Sequence, residues 1–432
     1  MLNAQHPKGQ RPHRQTKWEN FVGGSAEDFV VINRPYLAVL NSPYFLDGAG
    51  RVLLDRAWHH DVVRHLDYLA SFTLAAPLRP LPANTTELVP LAEEDRARIR
   101  LVPLPPQMSR LQAITQLPAT IRSVWRAVGL AEIVHTGTGG WPYPLGWVAA
   151  PIARLRGKKL LIIVESTWWR IPQKLKATAP LRKRLEASLY EGLARFWCAR
   201  ADLSFYTQPA YLEHFHRNGR GPAYVTPATW VNSENVLDDA QARILWDRKM
   251  RNPVRFLFAG RLTTEKGVKV LLDAAAKLAA SGVRGALHIV GDGPLRSAVI
   301  GAECNGAFTV KYFEPVPYGP AFLTFLEQYH AVVIPSLSDE QPRVVFDAAA
   351  RALPVLASDT DGLRPHVLDN RSGRLVPPGD ADALAEVMAA LIDKPTVLRD
   401  YGIENLAAVR GKTHRAMHVE RSRIIARHLG AE

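Results

Sequence analysis

The carboxyl-terminal half of the chain alternates between two hydrophobic patterns. From residue 253 onward, short apolar runs of strand length are followed by longer segments whose apolar residues recur at helical spacing. The runs that we interpret as strands are VRFLFAG, ALHIVGDG, FTVKYF, AVVIPS and PVLAS, and the predicted helices are VKVLLDAAAKL, VVFDAAARA and ADALAEVMAAL. This regular succession predicts a parallel, doubly wound α/β sheet.

The amino-terminal half carries a looser version of the same alternation. Its predicted strands are YLAVLN, RIRLVPL, EIVHTG, KLLIIVES and DLSFYTQ. The rhythm is lost between about residues 209 and 252, which predicts a boundary between two domains. The expected organisation is a disordered basic arm at 1–30, a first domain at 31–235, a linker at 236–252, a second domain at 253–412 and a final helix at 413–432.

Composition restricts the class of protein. The two cysteines, Cys198 and Cys304, are distant and have no neighbouring ligand cluster, so neither a disulfide framework nor a zinc site is predicted. No run approaches the roughly 18 apolar residues of a membrane span, and the polar first residues lack a signal-peptide core. A cytoplasmic protein is therefore expected. The net charge of +13 predicts attraction to anions, which could be nucleotides, nucleic acid or an acidic membrane. Charge alone does not distinguish these partners from a solvated basic surface that has no specific partner.

Small and charged residues collect where the predicted strands of the second domain end. Ligands of doubly wound sheets bind at this edge, where glycines allow close backbone approach and helix amino termini favour anions. Arg261, and Lys266 in the expected first turn of the next helix, are predicted to grip a diphosphate, unless they merely pair with nearby acids. Carboxylates at the same edge can accept hydrogen bonds from sugar hydroxyls. The candidate acids are Asp339, Glu340 and Asp347.

Three ordered motifs in the second half resemble glycosyltransferase family 4. They are AGRLTTEKGVKVLLDAAAKL, LHIVGDGPL and PSLSDEQPRVVFDAAARALPVLASDTDGL, the last followed by SGRLVPPGDADALA. The resemblance implies the GT-B fold, in which two Rossmann-like doubly wound domains face each other across a cleft and the last helix crosses back to the first domain. It also implies a retaining, metal-independent transferase that needs no cofactor and moves a sugar from a nucleoside diphosphate sugar to a hydroxyl acceptor.

The same resemblance implies roles for single residues. Arg261 and Lys266 would hold the diphosphate, Asp347 the ribose, and Asp339 the donor sugar in a catalytic role, with Glu340 as a second candidate for that role. The remaining donor-side candidates are Gly260, Gly291, Asp292, Gly293 and Arg343. The family's Gly-Phe-Gly is replaced here by Gln341-Pro342-Arg343, and Pro342 has no N–H to offer a donor. This departure leaves room for a catalytically silent protein that binds nucleotides or carbohydrates.

The first half resembles the family more faintly. Asp47 and Gly48 are predicted on the acceptor side of the cleft, and His135 and Glu165 are candidate catalytic residues. For His135, a buried structural histidine is an equal alternative.

The partners expected from this reading are a nucleotide sugar and a glycan or glycolipid acceptor, without nucleic acid. Sugar epimerisation and phosphorolysis are rival GT-B chemistries. The basic surface adds the expectation of peripheral contact with the anionic inner face of a membrane.

Overall fold

The first domain is built on a seven-stranded parallel sheet. The computed structural model describes residues 28–172, 175–338 and 340–430. The elements of this domain are β1 Tyr36–Val39, β2 Tyr44–Leu46, β3 Val52–Asp55, α1 Arg56–His65, β4 Phe72–Pro77, β5 Leu88–Pro90, α2 Glu93–Arg98, β6 Ile99–Leu104, α3 Arg110–Thr115, α4 Leu117–Gly129, β7 Ile133–Gly137, α5 Gly146–Leu155, β8 Lys159–Val164, α6 Leu181–Cys198, β9 Leu203–Tyr206, α7 Pro209–Phe215 and β10 Ala223–Val225.

The strand order of the first sheet is β10-β9-β8-β7-β1-β4-β6, and every neighbouring pair is parallel. Helices cover both faces, which is why β1 and β9 are buried along their whole length. A small antiparallel sheet, β2-β3-β5, is attached beside it.

The second domain has the strand order of a dinucleotide-binding fold. Its elements are α8 Asp239–Lys249, β11 Arg255–Ala259, α9 Val268–Ser281, β12 Gly285–Val290, α10 Arg296–Gly301, β13 Phe308–Phe313, α11 Pro320–Leu326, β14 Ala331–Ile334, α12 Val344–Ala350, β15 Val355–Ser358, β16 Gly373–Val376, α13 Ala381–Asp393 and α14 Pro395–Val409. All neighbouring strands in the order β13-β12-β11-β14-β15-β16 are parallel. The chain adds strands to one side of β11 and then, from β14 onward, to the other side, and ligands of such sheets bind in the crevice at this switch point.

The segment expected to be a linker, 236–252, contains a helix that packs on the second domain. A capping box between Asp238 and Gln241 starts α8. The fully buried Trp246 on this helix donates its indole N–H to the carbonyl of Ala352, 2.9 Å away. The α/β rhythm is lost in this part of the sequence because α7 and β10 are short and largely irregular chain separates them from α8.

The chain returns to the first domain in its last helix, α15 His414–Ile425, which continues into a π-helical turn, Ala426–Gly430. Ile424 and Ile425 belong to the hydrophobic core on one face of the first sheet. The hydroxyl of Ser422 accepts the backbone N–H of Val30 at 3.1 Å. Residues 28–30 at the end of the expected arm are thus held against this helix, and residues 1–27 lie outside the described part of the chain.

The fold class predicted from the sequence, two Rossmann-like doubly wound domains of GT-B type, is confirmed. All ten predicted strands are present, but the pattern missed six others: β2, β3, β4, β5, β10 and β16. In the described residues, no helix combines the length and apolarity that crossing a membrane requires.

Candidate functional site

A cavity of about 830 Å³ lies between the domains at the carboxyl ends of both sheets. On the second-domain side it is lined by loops that follow β11, β12, β13 and β14, and on the first-domain side by residues near the start of α1 and the end of β8. A second cavity of about 740 Å³ opens beside it towards α6. The two cavities share Arg261, Lys266 and Glu340, so these side chains stand where both spaces meet.

Two cations face this junction from the loop between β11 and α9. Arg261 is exposed and follows β11 almost directly, whereas Lys266 is half-buried. Lys266 lies just before the left-handed Gly267 that caps α9, so it precedes the helix and does not occupy its first turn as expected. Burial lowers the pKa of Lys266, and the Glu340 carboxylate, 3.8 Å from its ammonium, opposes that effect. The site can therefore attract an anion, which would compete with Glu340 for Lys266.

The glycines at the end of β12 permit close contact with the β11 loop. A Cβ on Gly291, whose φ is +146°, would lie 1.9 Å from the carbonyl oxygen of Gly260. A Cβ on Gly293 would lie 2.7 Å from the carbonyl oxygen of Leu262. Asp292 caps its own turn by accepting the N–H of Gly293 at 2.8 Å. The two loops thus make backbone contacts that leave no room for a side chain at either glycine. Gly260, Gly291 and Asp292 all line the larger cavity.

The acids divide into one outer and one inner group. Glu340 accepts a hydrogen bond from the hydroxyl of Ser166 at 2.7 Å and so joins the two domains across the cleft. Asp347, on α12, is buried and accepts the hydroxyl of Tyr318 at 3.1 Å. Burial raises the pKa of Asp347 to about 7. Asp339 lies outside the described residues, so its predicted role stays a prediction.

Arg343 and Glu165 complete the set of sequence-predicted residues at the cavity. Arg343 precedes α12, and its guanidinium stacks over the ring of Trp230 at 5.1 Å. Glu165 follows β8, and its side chain is open to the cavity. The protein around it raises the pKa of its carboxyl, mainly by desolvation. A carboxyl with a raised pKa in a cleft is a candidate for proton transfer.

The placement of His135 does not support the expected catalytic role. Its ring packs 5.9 Å from the ring of Tyr36 and 6.3 Å from that of His65, on the sheet face covered by α1 and α15. Burial lowers its pKa to about 3, so the imidazole is neutral. The alternation of side chains along β7 directs this residue into the core and away from the cavity lining, which favours the structural alternative.

Asp47 and Gly48 also lie away from the cavity. They form the turn between β2 and β3, where the Asp47 carboxylate accepts the N–H groups of Ala49 and Arg51 and pairs with the Arg51 guanidinium. The sequence suggested the glycine loop of a Rossmann unit, but an antiparallel hairpin is inserted here, so the prediction of an acceptor-side position is corrected. The first domain instead reaches the cavity through Asp55, Arg56, Trp58 and Glu87.

Sequence reasoning missed several lining residues. Tyr318 lies in the loop after β13, at the carboxyl ends of the strands. Its position after a predicted strand could have identified it as a lining residue. The residues that the hairpin and α1 bring to the cavity carried no such signal. Trp230 lies in irregular chain and reaches the cleft only because the chain turns from one domain to the other there.

Comparison with known proteins gives the site its chemical context. Residues 253–394 match the family model described as Glycosyl transferases group 1. The second domain is therefore similar to a group 1 glycosyltransferase domain. It contains Arg261, Lys266 and Asp347, and the resemblance to glycosyltransferases is confirmed at this level, whereas the subdivision into family 4 stays a prediction.

Curated relatives match about a third of the chain. An "Alpha-D-kanosaminyltransferase" of Streptomyces kanamyceticus is 32% identical over 155 residues, which are 35% of this chain and 39% of the relative. A "D-inositol 3-phosphate glycosyltransferase" of Arthrobacter sp. (strain FB24) is 32% identical over 154 residues, 34% of this chain and 36% of the relative. The chain thus spans less than two fifths of these relatives.

Solved structures match nearly the whole fold. Sucrose-phosphate synthase from Thermosynechococcus elongatus superposes with a TM-score of 0.65 at 18% identity, covering 91% of this chain and 99% of that one. Anabaena HepE, crystallised with UDP and glucose, gives a TM-score of 0.63 at 15% identity, covering 92% of this chain and 100% of that one. At such identities the likeness shows the fold of the two domains and nothing further.

Proposed function

We propose that this protein is a glycosyltransferase that moves a sugar from a nucleoside diphosphate sugar to a hydroxyl acceptor. The main support for the proposal is that two cations, Arg261 and Lys266, line the same cavity at the switch point of a domain that matches group 1 glycosyltransferases. Asp347 and Gly291 line the same cavity. Curated relatives of the chain are named as glycosyltransferases. A protein of similar fold, HepE, was crystallised with UDP-glucose.

The proposed catalytic contribution is stabilisation of the departing diphosphate. Its charge grows as the bond to the sugar breaks, and fixed cations in a partly desolvated cleft stabilise charge more strongly than water does. Arg261 would bind two oxygens through its planar fork, and Lys266 would leave Glu340 to bind a third. Glu165, with its raised carboxyl pKa, is the proposed proton acceptor for the attacking hydroxyl.

Turnover of a panel of nucleotide sugars tests the proposal. Purified protein is incubated with UDP-, GDP- and ADP-sugars and mixed sugar acceptors, and released nucleoside diphosphate is measured. Release from one donor, lost in Arg261→Ala, is expected. A folded protein that releases diphosphate from none of these donors, yet binds one of them, overturns catalysis in favour of the silent binding protein. Pro342, which offers no N–H, is the observation that favours this second candidate.

Retention of configuration and independence from a metal at the reaction centre are also part of the proposal. Both derive from the resemblance to family 4. The cations of the cleft are consistent with independence from a metal, because they can neutralise a diphosphate. Proton NMR of the product should show the anomeric configuration of the donor. The rate should not depend on added Mg²⁺ or Mn²⁺. An inverted product, or a rate that requires either ion, contradicts the corresponding part.

We further propose peripheral contact with an anionic membrane, which would place the protein at the inner membrane face and a lipid-linked glycan within reach. On α6, Leu181, Leu185 and Leu189 are 69%, 63% and 57% exposed at a spacing of four residues. Arg182 and Lys183 of the same helix line the smaller cavity. An apolar stripe beside cations is typical of surfaces that lie in the membrane interface.

Vesicle sedimentation tests this contact. The protein should bind vesicles that contain phosphatidylglycerol and not purely zwitterionic vesicles, and high salt should weaken the binding. Leu185→Ser should weaken it too, whereas Leu155→Ser, at a position that is 78% exposed on α5, should not. Equal binding to both vesicle types, or no binding, contradicts the contact and leaves the transfer reaction untouched.

A further inference from the structure

Behind the part of the cleft wall that Trp230 forms, one carboxylate and two imidazoles converge where the last helix meets the first domain. Asp61 lies on α1, and His414 and His418 lie one helical turn apart on α15. One ligand atom from each, a carboxylate oxygen and two imidazole nitrogens, lie within 4.8 Å of one another. Both imidazoles are fully buried, and the Asp61 side chain is 13% exposed. We call these residues the Asp61–His414–His418 cluster.

The spacing of the donor atoms suits a four-coordinate ion. The Oδ1 atom of Asp61 lies 3.0 Å from Nε2 of His418 and 3.5 Å from Nε2 of His414. Ligands at about 2.0–2.1 Å from a tetrahedral zinc ion are separated by roughly 3.3 Å. The observed distances lie on either side of this value, so a small ion fits with side-chain shifts of a fraction of an ångström.

Two aromatic side chains next to the cluster, Tyr68 and Trp230, contact the imidazoles. The hydroxyl of Tyr68 contacts Nδ1 of His418 at 3.2 Å, which leaves Nε2 directed at the carboxylate. The ring of Trp230 stacks on His414 at 5.5 Å, and Nδ1 of His414 is buried without a hydrogen-bond partner among the described residues. An outer hydrogen bond such as the one from Tyr68 commonly holds a metal-binding histidine in place, whereas His414 is held by ring packing.

The charge balance also favours a cation. Within the described residues, the ion-pair partners of Asp61 are His65, His414 and His418, and none is a lysine or arginine. A buried carboxylate that lacks a permanent positive partner is costly. A divalent ion would neutralise it and use the lone pairs of both imidazoles.

We propose that the Asp61–His414–His418 cluster binds a divalent transition metal, best matched by zinc, that ties α15 to α1. Two imidazoles and a carboxylate are a common zinc donor set, and a water molecule would fill the fourth position at the partly exposed side of Asp61. The site connects the chain that leaves the second domain to the body of the first. It is independent of the proposed sugar transfer.

The site did not emerge from the sequence because its halves are far apart. His414 and His418 stand at i and i+4 on one helix face, but Asp61 precedes them by 353 and 357 residues. The absence of a zinc site was predicted from Cys198 and Cys304, and neither cysteine belongs to this cluster.

Metal binding by the untagged full chain tests the proposal. After removal of metals with a chelator, CoCl₂ is added and the visible spectrum is recorded, and ZnCl₂ is titrated by calorimetry. We expect one ion per chain, the absorption bands of four-coordinate Co²⁺, and their loss when Zn²⁺ displaces it. A folded wild-type chain that takes up no stoichiometric ion overturns the proposal.

Variants separate this site from adventitious histidines. His414→Gln and His418→Gln should each weaken Zn²⁺ binding at least tenfold. His60→Gln is the matched control, because His60 lies 4.3 Å from His414 but its Nε2 is engaged with Asn232. Equal binding in all three variants overturns the assignment. If the glutamine variants do not fold, the wild-type Co²⁺ spectrum decides, since six-coordinate bands contradict the site.

Discussion

At the scale of single residues, the cleft brings together groups whose ordinary charge is perturbed by their surroundings. Lys266 is partly neutralised by Glu340, and Asp347 is buried with a pKa of about 7. Such a site stores unfavourable electrostatic energy that a ligand with phosphates and hydroxyls can relieve. Arg261, in contrast, is exposed and forms no ion pair with a described carboxylate, so its charge is available.

Replacing Arg261 should affect binding and not folding. Arg261→Ala removes charge-assisted hydrogen bonds worth about 1.5–3 kcal/mol, so affinity for the correct nucleoside diphosphate should fall by roughly 10- to 150-fold. Isothermal titration calorimetry measures the change. Arg284→Ala, an exposed arginine before β12 at the opposite edge of the sheet, is the control and should bind normally. Equal affinities in the two variants would remove the basis of the phosphate site.

The raised pKa of Asp347 makes a prediction about stability and pH. Because the folded pKa, about 7, exceeds the unfolded value of 3.8, the folded state binds more protons between these pH values. The stability contributed by this group therefore falls as pH rises from about 4 to about 7, and the full cost of the buried charge remains above pH 7. Asp347→Asn should raise the free energy of unfolding at pH 8 by on the order of 1–3 kcal/mol, and by much less at pH 5.

Denaturant unfolding at the two pH values measures this effect. Tyr318→Phe serves as a control, because it removes the hydrogen bond and leaves the carboxyl. A stabilisation by Asp347→Asn that is the same at pH 5 and pH 8 would show that the carboxyl is not buried as described.

At the scale of elements, the site depends on two strand ends that touch through backbone alone. The loops after β11 and β12 pack where Gly291 faces the carbonyl of Gly260, and the loop after β14 passes over Gly267. Because β11 pairs with both β12 and β14, small displacements of one loop move the cations relative to the glycines.

Gly291→Ala should therefore destabilise the second domain. The added Cβ would meet a carbonyl oxygen at 1.9 Å in a backbone conformation that other residues rarely adopt. We expect a loss of more than about 2 kcal/mol together with weaker nucleotide binding. Gly301→Ala is the matched control, since nothing lies within 4 Å of its added Cβ at the end of α10. This change should be neutral or stabilising by up to about 1 kcal/mol in thermal denaturation. Similar melting temperatures for both variants would contradict the close approach.

At the scale of the whole molecule, the chain crosses between the domains twice. It first passes from β10 to α8, which packs on the second domain, and it returns through α15, which packs on the first. Across the cleft, the hydroxyl of Ser166 contacts Glu340 beside the cations. The geometry of the cavity is therefore a property of both domains, because either domain alone supplies only one wall.

The return crossing predicts a domain-specific effect of one substitution. Ile425→Ala removes a side chain that is 1% exposed in the core of the first domain, and should cost about 2–5 kcal/mol. Calorimetry with nucleoside diphosphate present should show a lower transition for the first domain while the ligand-protected transition of the second is unchanged. Ile244→Ala, at a position that is 70% exposed, should change neither. A shift of the protected transition by Ile425→Ala would mean that α15 stabilises the other domain.

The sequence alone determined the α/β alternation, the two-domain division and the residues at the carboxyl edge of the second sheet, because these depend on local periodicity and on which residues follow each strand. Arg261, Asp292 and Asp347 could be identified because parallel strands end at one edge of a sheet. The tertiary structure alone decided that His135 faces the core, that Asp47 serves a hairpin turn, and that Asp61 meets His414 and His418. These outcomes depend on which face of an element is covered and by which distant segment, and no local pattern carries that information.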